Sequence, residues 1–283
     1  MFVLLNPTQW EKQWDYRERI AHVTKRYGWT ARFGEIDRRN PFCLEHLLRQ
    51  AWEEDCARVA VLGGDGTLHR VINTLHKQKR LKQVELAVLP GGTCNDFARM
   101  QGLNRKNLDE ALRLACTGHA QPTDLGLMDS EVFINTAGIG RRPTSSKEQT
   151  QPLATLKNFR PIPLKAAWEK GTLEGTFYMM LVCNGYYFSG GLHFSKKPVV
   201  DDGCLDIYFL PVMPKWKLAY LLLLGRMGRF VRPKQMVTLQ VQRIEIQAQS
   251  DLWPQADGEP PGKPVRRVVF SISPEKAMIV RSW

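Results

Sequence analysis

The sequence predicts an α/β protein in two parts: a doubly wound parallel-sheet domain, then a C-terminal antiparallel β-sandwich-like domain. Three observations lead there. Up to about residue 120, short apolar runs alternate with amphipathic helical stretches, the pattern of a parallel sheet with crossover helices. After Pro122 the helices give way to short strands divided by turns. Two strands of the first part run into glycine-rich loops, at the carboxyl ends where ligands bind in such sheets. With 283 residues, the chain has room for two medium domains, expected at 1–122 and 123–283 with the C-terminal tail able to return to the first.

The elements follow in order. Phe2 to Leu5 predict a buried strand ended by Asn6-Pro7, and a helix is expected from about Glu11 to Arg26, closed by Tyr27-Gly28. Trp29 to Phe33 alternate as a second strand, and Pro41 opens a helix with Leu44, Leu47, Leu48 and Ala51 on one face. A third strand, Val59 to Leu62, begins after the charged Arg58, and Leu86 to Leu89 form a fourth. Asn107-Leu108-Asp109-Glu110 has the form of a capping box for a helix over Ala111 to Cys116. In the second part, Asp124 to Met128 and Val132 to Asn135 flank a turn at Asp129-Ser130. Phe177 to Val182, Leu205 to Phe209, Val237 to Val241, Ile244 to Ile246 and Arg267 to Phe270 read as further strands. The polar stretch Arg141 to Phe159 reads as a loop or short helix.

The stretch that carries chemistry is Gly63-Gly64-Asp65-Gly66-Thr67, between the third strand and the helix opened by Leu68-His69-Arg70. Glycines let a phosphate approach backbone N–H groups, and the helix N-terminus adds unpaired donors and partial positive charge. Asp65 would repel a bare polyphosphate, so a divalent cation between them is expected. The plainer alternative is a tight turn with Asp65 as a cap. A second loop, Pro90-Gly91-Gly92-Thr93-Cys94-Asn95-Asp96-Phe97-Ala98-Arg99, repeats the arrangement of strand, glycines, hydroxyl and helix start.

Bulk composition narrows the partners. Forty Lys and Arg against 28 Asp and Glu leave a net charge of +12, which favours an anionic partner: nucleotide, nucleic acid or acidic membrane surface. No nucleic-acid recognition module is legible, so no nucleic-acid partner is expected. Cys43, Cys56, Cys94, Cys116, Cys183 and Cys204 form no C-x-x-C pair and read as reduced thiols, consistent with a cytoplasmic protein. Met1 to Leu5 lack a preceding positive region and read as a strand rather than a leader. The longest apolar run, Leu218 to Leu224, is too short to span a bilayer.

Taken together, these motifs resemble the diacylglycerol kinase catalytic family, which includes sphingosine kinases and bacterial lipid kinases. The resemblance rests on Asn6-Pro7, Gly63 to Thr67, Gly92-Thr93-Cys94-Asn95-Asp96-Phe97-Ala98, Asp124-Leu125-Gly126, and Phe133-Ile134-Asn135 with Gly138-Ile139-Gly140. Gly190-Gly191, Asp201-Asp202-Gly203 and Asp257-Gly258-Glu259 continue it in the family's order. The first glycine loop is shared with NAD kinases, whereas the second is more specific to lipid kinases.

The resemblance implies an ATP-dependent lipid kinase that phosphorylates a hydroxyl of a diacylglycerol, sphingoid or related lipid at an anionic membrane surface, as a peripheral protein. Its active site would lie in a cleft between the domains. Asn6, Gly63, Gly64, Asp65, Gly66, Thr67, Leu68, His69 and Thr93 would line the nucleotide, with Asp65 acting through Mg²⁺ or its water shell. Asp257 and Glu259 would supply catalytic carboxylates, Glu259 as proton acceptor. Asp257-Gly258 is also an ordinary hairpin signal. A second, structural Mg²⁺ would take the Asp202 carboxylate with backbone carbonyls of Val199 and Cys204.

The chain departs from the family at two places. Thr8-Gln9-Trp10-Glu11-Lys12 replaces a Ser-Gly-Lys-Gly type loop, and His69-Arg70 stands where relatives carry Asn-Glu. His69 is expected to face solvent. Alternatives are an NAD kinase-like enzyme and a catalytically impaired nucleotide or lipid sensor. Lys215 to Phe230, apolar in the middle and basic at both ends, fits either adsorption to an anionic bilayer or a core-packing helix.

Overall fold

The computed structural model describes residues 1–6, 16–37, 39–140, 160–188, 190–193, 200–227, 233–259 and 263–281. The start of the first expected helix, the Thr8 to Lys12 loop, the Arg141 to Phe159 stretch, Val199 and Gly228 to Phe230 lie outside these residues. The chain divides into two units, Met1–Thr123 with Glu275–Trp283, and Asp124–Pro274.

The first unit is a six-stranded sheet. Its order is β2 (Arg32–Glu35), β1 (Phe2–Leu5), β3 (Arg58–Gly63), β4 (Glu85–Pro90), β17 (Ala277–Arg281), β5 (His119–Thr123). All neighbours are parallel except β5, which runs antiparallel to β17. Strands β1, β3 and β4 are buried along their length apart from Glu85. Burial on both faces is why they read as unbroken apolar runs without alternation. The helices are α1 (Tyr16–Arg26), α2 (Cys43–Glu53), α3 (Asp65–Lys77), α4 (Asp96–Met100) and α5 (Leu108–Thr117). Helix α2 buries Leu44, Leu47, Leu48 and Ala51, the face its sequence spacing requires.

Three local expectations are corrected. The second strand starts at Arg32, opposite Phe2, rather than at Trp29. Residues 29 and 30 serve elsewhere: the Trp29 indole donates to the Cys116 carbonyl, and the N-terminal ammonium donates to Thr30. Arg58 belongs to β3 and is buried. Its guanidinium bonds Glu85 at 2.6–2.8 Å and the Ala115 carbonyl at 2.7 Å, and lies 5.0 Å from the Trp29 ring centroid. A buried cation persists only with such partners. The expected capping box does not form: Asn107 has φ −111°, ψ 51° and makes no side-chain cap bond, and α5 starts at Leu108. A side-chain cap needs the extended backbone that Asn107 lacks.

The second unit is built on a nine-stranded antiparallel sheet. Its order is β14 (Val237–Val241), β13 (Leu205–Pro211), β10 (Gly171–Cys183), β8 (Thr136–Gly140), β15 (Arg243–Ala256), β16 (Val265–Ile272), β6 (Gly126–Met128), β7 (Glu131–Phe133). The ninth strand, β9 (Ile162–Trp168), pairs with both β10 and β15. The long strands β10 and β15 each give one end to β9 and the other to β8, so these four strands close a circuit. Phe133, Phe177, Phe209, Phe270, Ile244 and Ile246 fill its core, with the Phe177 and Phe209 rings 5.0 Å apart. Strands β6 and β7 form the expected hairpin, turned at Asp129 with φ +52°. A short hairpin, β11 (Tyr187–Phe188) and β12 (Leu192–His193), precedes α6 (Lys215–Arg226). Leu218 and Leu222 of α6 pack on a second cluster with Tyr178, Leu181, Tyr208 and Met236.

Candidate functional site

Both glycine loops leave the same edge of the first sheet, because β3 and β4 are adjacent, parallel and in register from Arg58↔Glu85 to Gly63↔Pro90. The Gly91 N–H donates to the Gly63 carbonyl at 2.7 Å. Beyond that bond the loops touch backbone to backbone. A Cβ on Gly92 would lie 2.3 Å from the Gly64 Cα, and one on Gly64 would lie 2.9 Å from the Gly92 Cα. A Cβ on Gly63 would strike the Thr67 side chain at 2.6 Å. At these three positions the absent side chain also admits another part of the protein: the facing loop's backbone at Gly64 and Gly92, and the Thr67 side chain at Gly63. The second loop is closed by Asn95, whose φ is +50°. Its Oδ1 accepts the Gly92 N–H at 2.6 Å and its Nδ2 donates to the Gly92 carbonyl at 2.7 Å.

Asp65 joins the loops. Its Oδ2 accepts the Asp96 N–H and its Oδ1 the Phe97 N–H, both at 3.1 Å. Asp65 is thus a helix cap, but for the neighbouring α4 rather than for α3, whose N-cap is Gly64. A carboxylate oxygen can accept more than one bond, so two backbone bonds do not by themselves bar Asp65 from acting on a cation. A cavity of about 10 Å³ beside Gly63, Gly64, Asp65 and Asn95 has room for roughly one water.

The other nucleotide candidates divide by exposure. Gly64, Asp65 and Gly66 are half-buried and Thr93 is exposed. Asn6 is 1% exposed and its Nδ2 donates to Thr67 Oγ1 at 2.8 Å. These two side chains therefore brace the loop from beneath, beside the buried Gly63 and Leu68. His69 is corrected: it is 4% exposed, with Asn73 Nδ2 3.3 Å from its Nε2. Helix α3 packs on both β3 and α2, which buries a face wide enough to include it.

In the second unit, Asp257 and Gly258 have φ +49° and +86°, and Ala256 and Glu259 exchange backbone hydrogen bonds. This is a two-residue hairpin turn, for which Asp-Gly is suited. The Asp257 side chain does more than turn the chain. Its Oδ2 accepts the Ile134 N–H at 3.0 Å, and its Oδ1 accepts those of Asn135 at 2.9 Å and Thr136 at 3.1 Å. The carboxylate is 9% exposed and holds the turn against the start of β8. Glu259, just past the turn, is exposed. Of the expected catalytic pair, Asp257 positions the turn and Glu259 presents a carboxylate to solvent.

For the expected metal, Asp202 Oδ1 accepts the Cys204 N–H and its Oδ2 accepts Gln240 Nε2, both at 3.0 Å. The Cys204 thiol is pushed above its usual range, first by burial and then by Asp202, Asp206 and Asp124. Burial, then Asp202, raises the Asp206 carboxyl as well. Carboxylates of the kind Asp202, Asp206 and Asp124 bring to this turn are the donor type a hard cation takes. Among the described residues no group of three His, Cys, Asp or Glu side chains is arranged to hold a metal. The expected set thus depends on backbone carbonyls, and Val199 lies outside those residues.

Three positioning residues had no role assigned from sequence. Asn95 shapes the second loop, and Asp124 accepts the Gly203 N–H at 2.7 Å, which holds the Asp202 turn. Asn184 donates to the carbonyls of Asp124 and Ile134 at 2.8 and 2.7 Å. Asn95 and Asp124 sit inside the quoted motifs, and that was the available signal.

Comparison with known proteins gives two consecutive family matches. The diacylglycerol kinase catalytic domain matches residues 1–128, and the YegS C-terminal NAD kinase beta sandwich-like domain matches residues 128–281. A Pseudomonas aeruginosa protein named "Probable lipid kinase YegS-like" is 31% identical over 81% of this chain and 78% of its own. A Bacillus subtilis protein named "Diacylglycerol kinase" is 26% identical over 76% of this chain and 75% of its own. A diacylglycerol kinase crystal structure from Bacillus anthracis superposes with a TM-score of 0.78 at 18% identity, covering 99% of this chain and 96% of that one. At that identity the superposition speaks for the fold.

Proposed function

We propose that this chain, which belongs to the diacylglycerol kinase catalytic-domain family, transfers the γ-phosphate of ATP to a hydroxyl of a lipid. Kinase chemistry on a lipid is the family's; the donor, the class of acceptor and the residue roles are this reading. The observation that carries it is the Asp65 clamp, which locks the two glycine loops together at the carboxyl edge of β3 and β4, beside the N-terminus of α3. Such an edge holds anionic groups through backbone N–H donors and the helix dipole. Gly64 to Gly66 and Thr93 contact the phosphates, while Asn6, Thr67 and Asn95 keep the loops in shape.

Glu259 takes the proton from the lipid hydroxyl as its oxygen bonds to the γ-phosphorus and ADP leaves. Mg²⁺, when bound, would neutralise phosphate charge; Asp65 would act on that ion and Asp202 would hold the second, structural one. Positioning and charge neutralisation supply most of the rate gain in this class of reaction. The test is incubation with γ-labelled ATP, Mg²⁺ and mixed diacylglycerol and sphingoid-base vesicles, with NAD as a competing acceptor. Label in the lipid phase, abolished in Glu259→Gln at unchanged melting temperature, is the expected result. Label on NAD, or ATP binding without transfer to any acceptor, overturns it.

A further inference from the structure

Helix α6 is apolar on two opposite faces, and among the described residues only one of them packs against a core cluster. Leu218, Leu222 and Gly225 are buried against the second core cluster. On the other side, Trp216 is 73% exposed, Tyr220 56%, Leu223 48% and Met227, at the C-cap, 61%. At 3.6 residues per turn these four project within about 60° of one another, opposite the buried face. They account for four of the seven large apolar side chains exposed among the described residues. Lys215 and Lys217 flank Trp216, about 100° to either side, and the helix contains no acidic residue. Of the two sequence alternatives for this stretch, core packing is met on the inner face, and the outer face is the one adsorption would use.

We propose that the outer face of α6 docks the protein on an anionic bilayer. Trp216, Tyr220, Leu223 and Met227 would enter the headgroup boundary, and Lys215 and Lys217 would face lipid phosphates. A helix of 12 residues is about 18 Å long, too short for a hydrocarbon core of about 30 Å but suited to lying in the interface. Aromatic side chains favour that zone, and basic neighbours select anionic lipid. The net charge of +12 acts in the same direction at longer range. A second copy of the chain is the poorer occupant, because a self-complementary contact of this helix offers these lysines no carboxylate on the facing helix. The inference extends the lipid-kinase reading, but vesicle binding without nucleotide does not depend on it.

The experiment sediments the purified chain, without ATP, with vesicles of phosphatidylcholine alone or with 30% phosphatidylglycerol as the probe. Binding to the anionic vesicles that weakens with salt, and falls at least tenfold in Leu223→Glu and several-fold in Trp216→Ala, is expected. Circular dichroism and melting temperature should be unchanged, because both side chains are on the surface. In parallel, phosphorylation of a short-chain, water-dispersed diacylglycerol should be equal in Leu223→Glu and the parent. If that reaction is absent in both proteins while vesicle binding behaves as described, the kinase reading fails and the docking surface stands. Equal vesicle binding by Leu223→Glu and the parent overturns the docking surface. So does a parent that ignores anionic vesicles, or a dimer by light scattering that Leu223→Glu dissociates without any change in vesicle binding.

Discussion

Replacing Gly92 by alanine tests whether the glycines of the two loops serve the protein's own packing. The new methyl would lie 2.3 Å from the Gly64 Cα, 3.0 Å from the Gly64 nitrogen and 2.9 Å from Asn95 Oδ1. Ordinary contact begins near 3.4 Å, so the loops must part by about 1 Å, and the opposing atoms are backbone that no rotamer change can move. A parting of that size stretches the 2.7 Å bond from Gly91 to Gly63 beyond hydrogen-bond range and strains the Asp65 bonds to α4. Overpacking of this kind costs about 1–3 kcal/mol and the lost bond about 1 more, so a loss of roughly 2–4 kcal/mol in unfolding free energy is expected. Urea denaturation without nucleotide measures it, and nucleotide affinity should fall in the same variant. An alanine variant with the parent's urea midpoint and weakened nucleotide binding would refute the packing argument. It would restore the view that the glycine is absent of side chain only for the ligand.

Further predictions follow from the same geometry. Asp257→Ala strands three buried backbone N–H groups and should cost about 3–5 kcal/mol by denaturant titration; loss of activity at parental stability would instead make Asp257 a chemical participant. Arg58→Ala removes the buried partner of Glu85 and of the Ala115 carbonyl and should cost about 3 kcal/mol, read as a lower urea midpoint. Arg267 bonds Glu245 through two nitrogens and, with Gln247, holds its carboxyl down to about 2. The pair's contribution is thus present above the ordinary glutamate range and lost as pH falls through about 2, and NMR titration of Arg267→Ala should show Glu245 moving back toward its usual value. Cys183 is buried and its thiol is pushed well up by burial, so it should resist thiol reagents at neutral pH until the second unit unfolds.

The sequence by itself settled what depends on local pattern and short spacing. Unbroken apolar runs located β1, β3 and β4, because strands covered on both faces need no polar side. The Leu44, Leu47, Leu48, Ala51 spacing located α2. The glycine loops could be placed at strand ends since strand, turn and helix follow one another in the chain. The tertiary structure decided what depends on partners far away in sequence. Arg58 joined a strand only because Glu85, Trp29 and the α5 carbonyls surround it. Strand β9 was not legible, because Pro163 and Lys165 interrupt its apolar pattern and its pairing comes from β10 and β15. Strand β17, at the end of the chain, completes the first sheet between β4 and β5. The functional loops show the same division. That Gly63, Gly64 and Gly92 must lack side chains was visible in one dimension. That Gly64 and Gly92 do so where two backbones touch, with Asp65 closing the contact across 31 residues, was decided by sheet register, which sets β3 beside β4 and which no local pattern encodes.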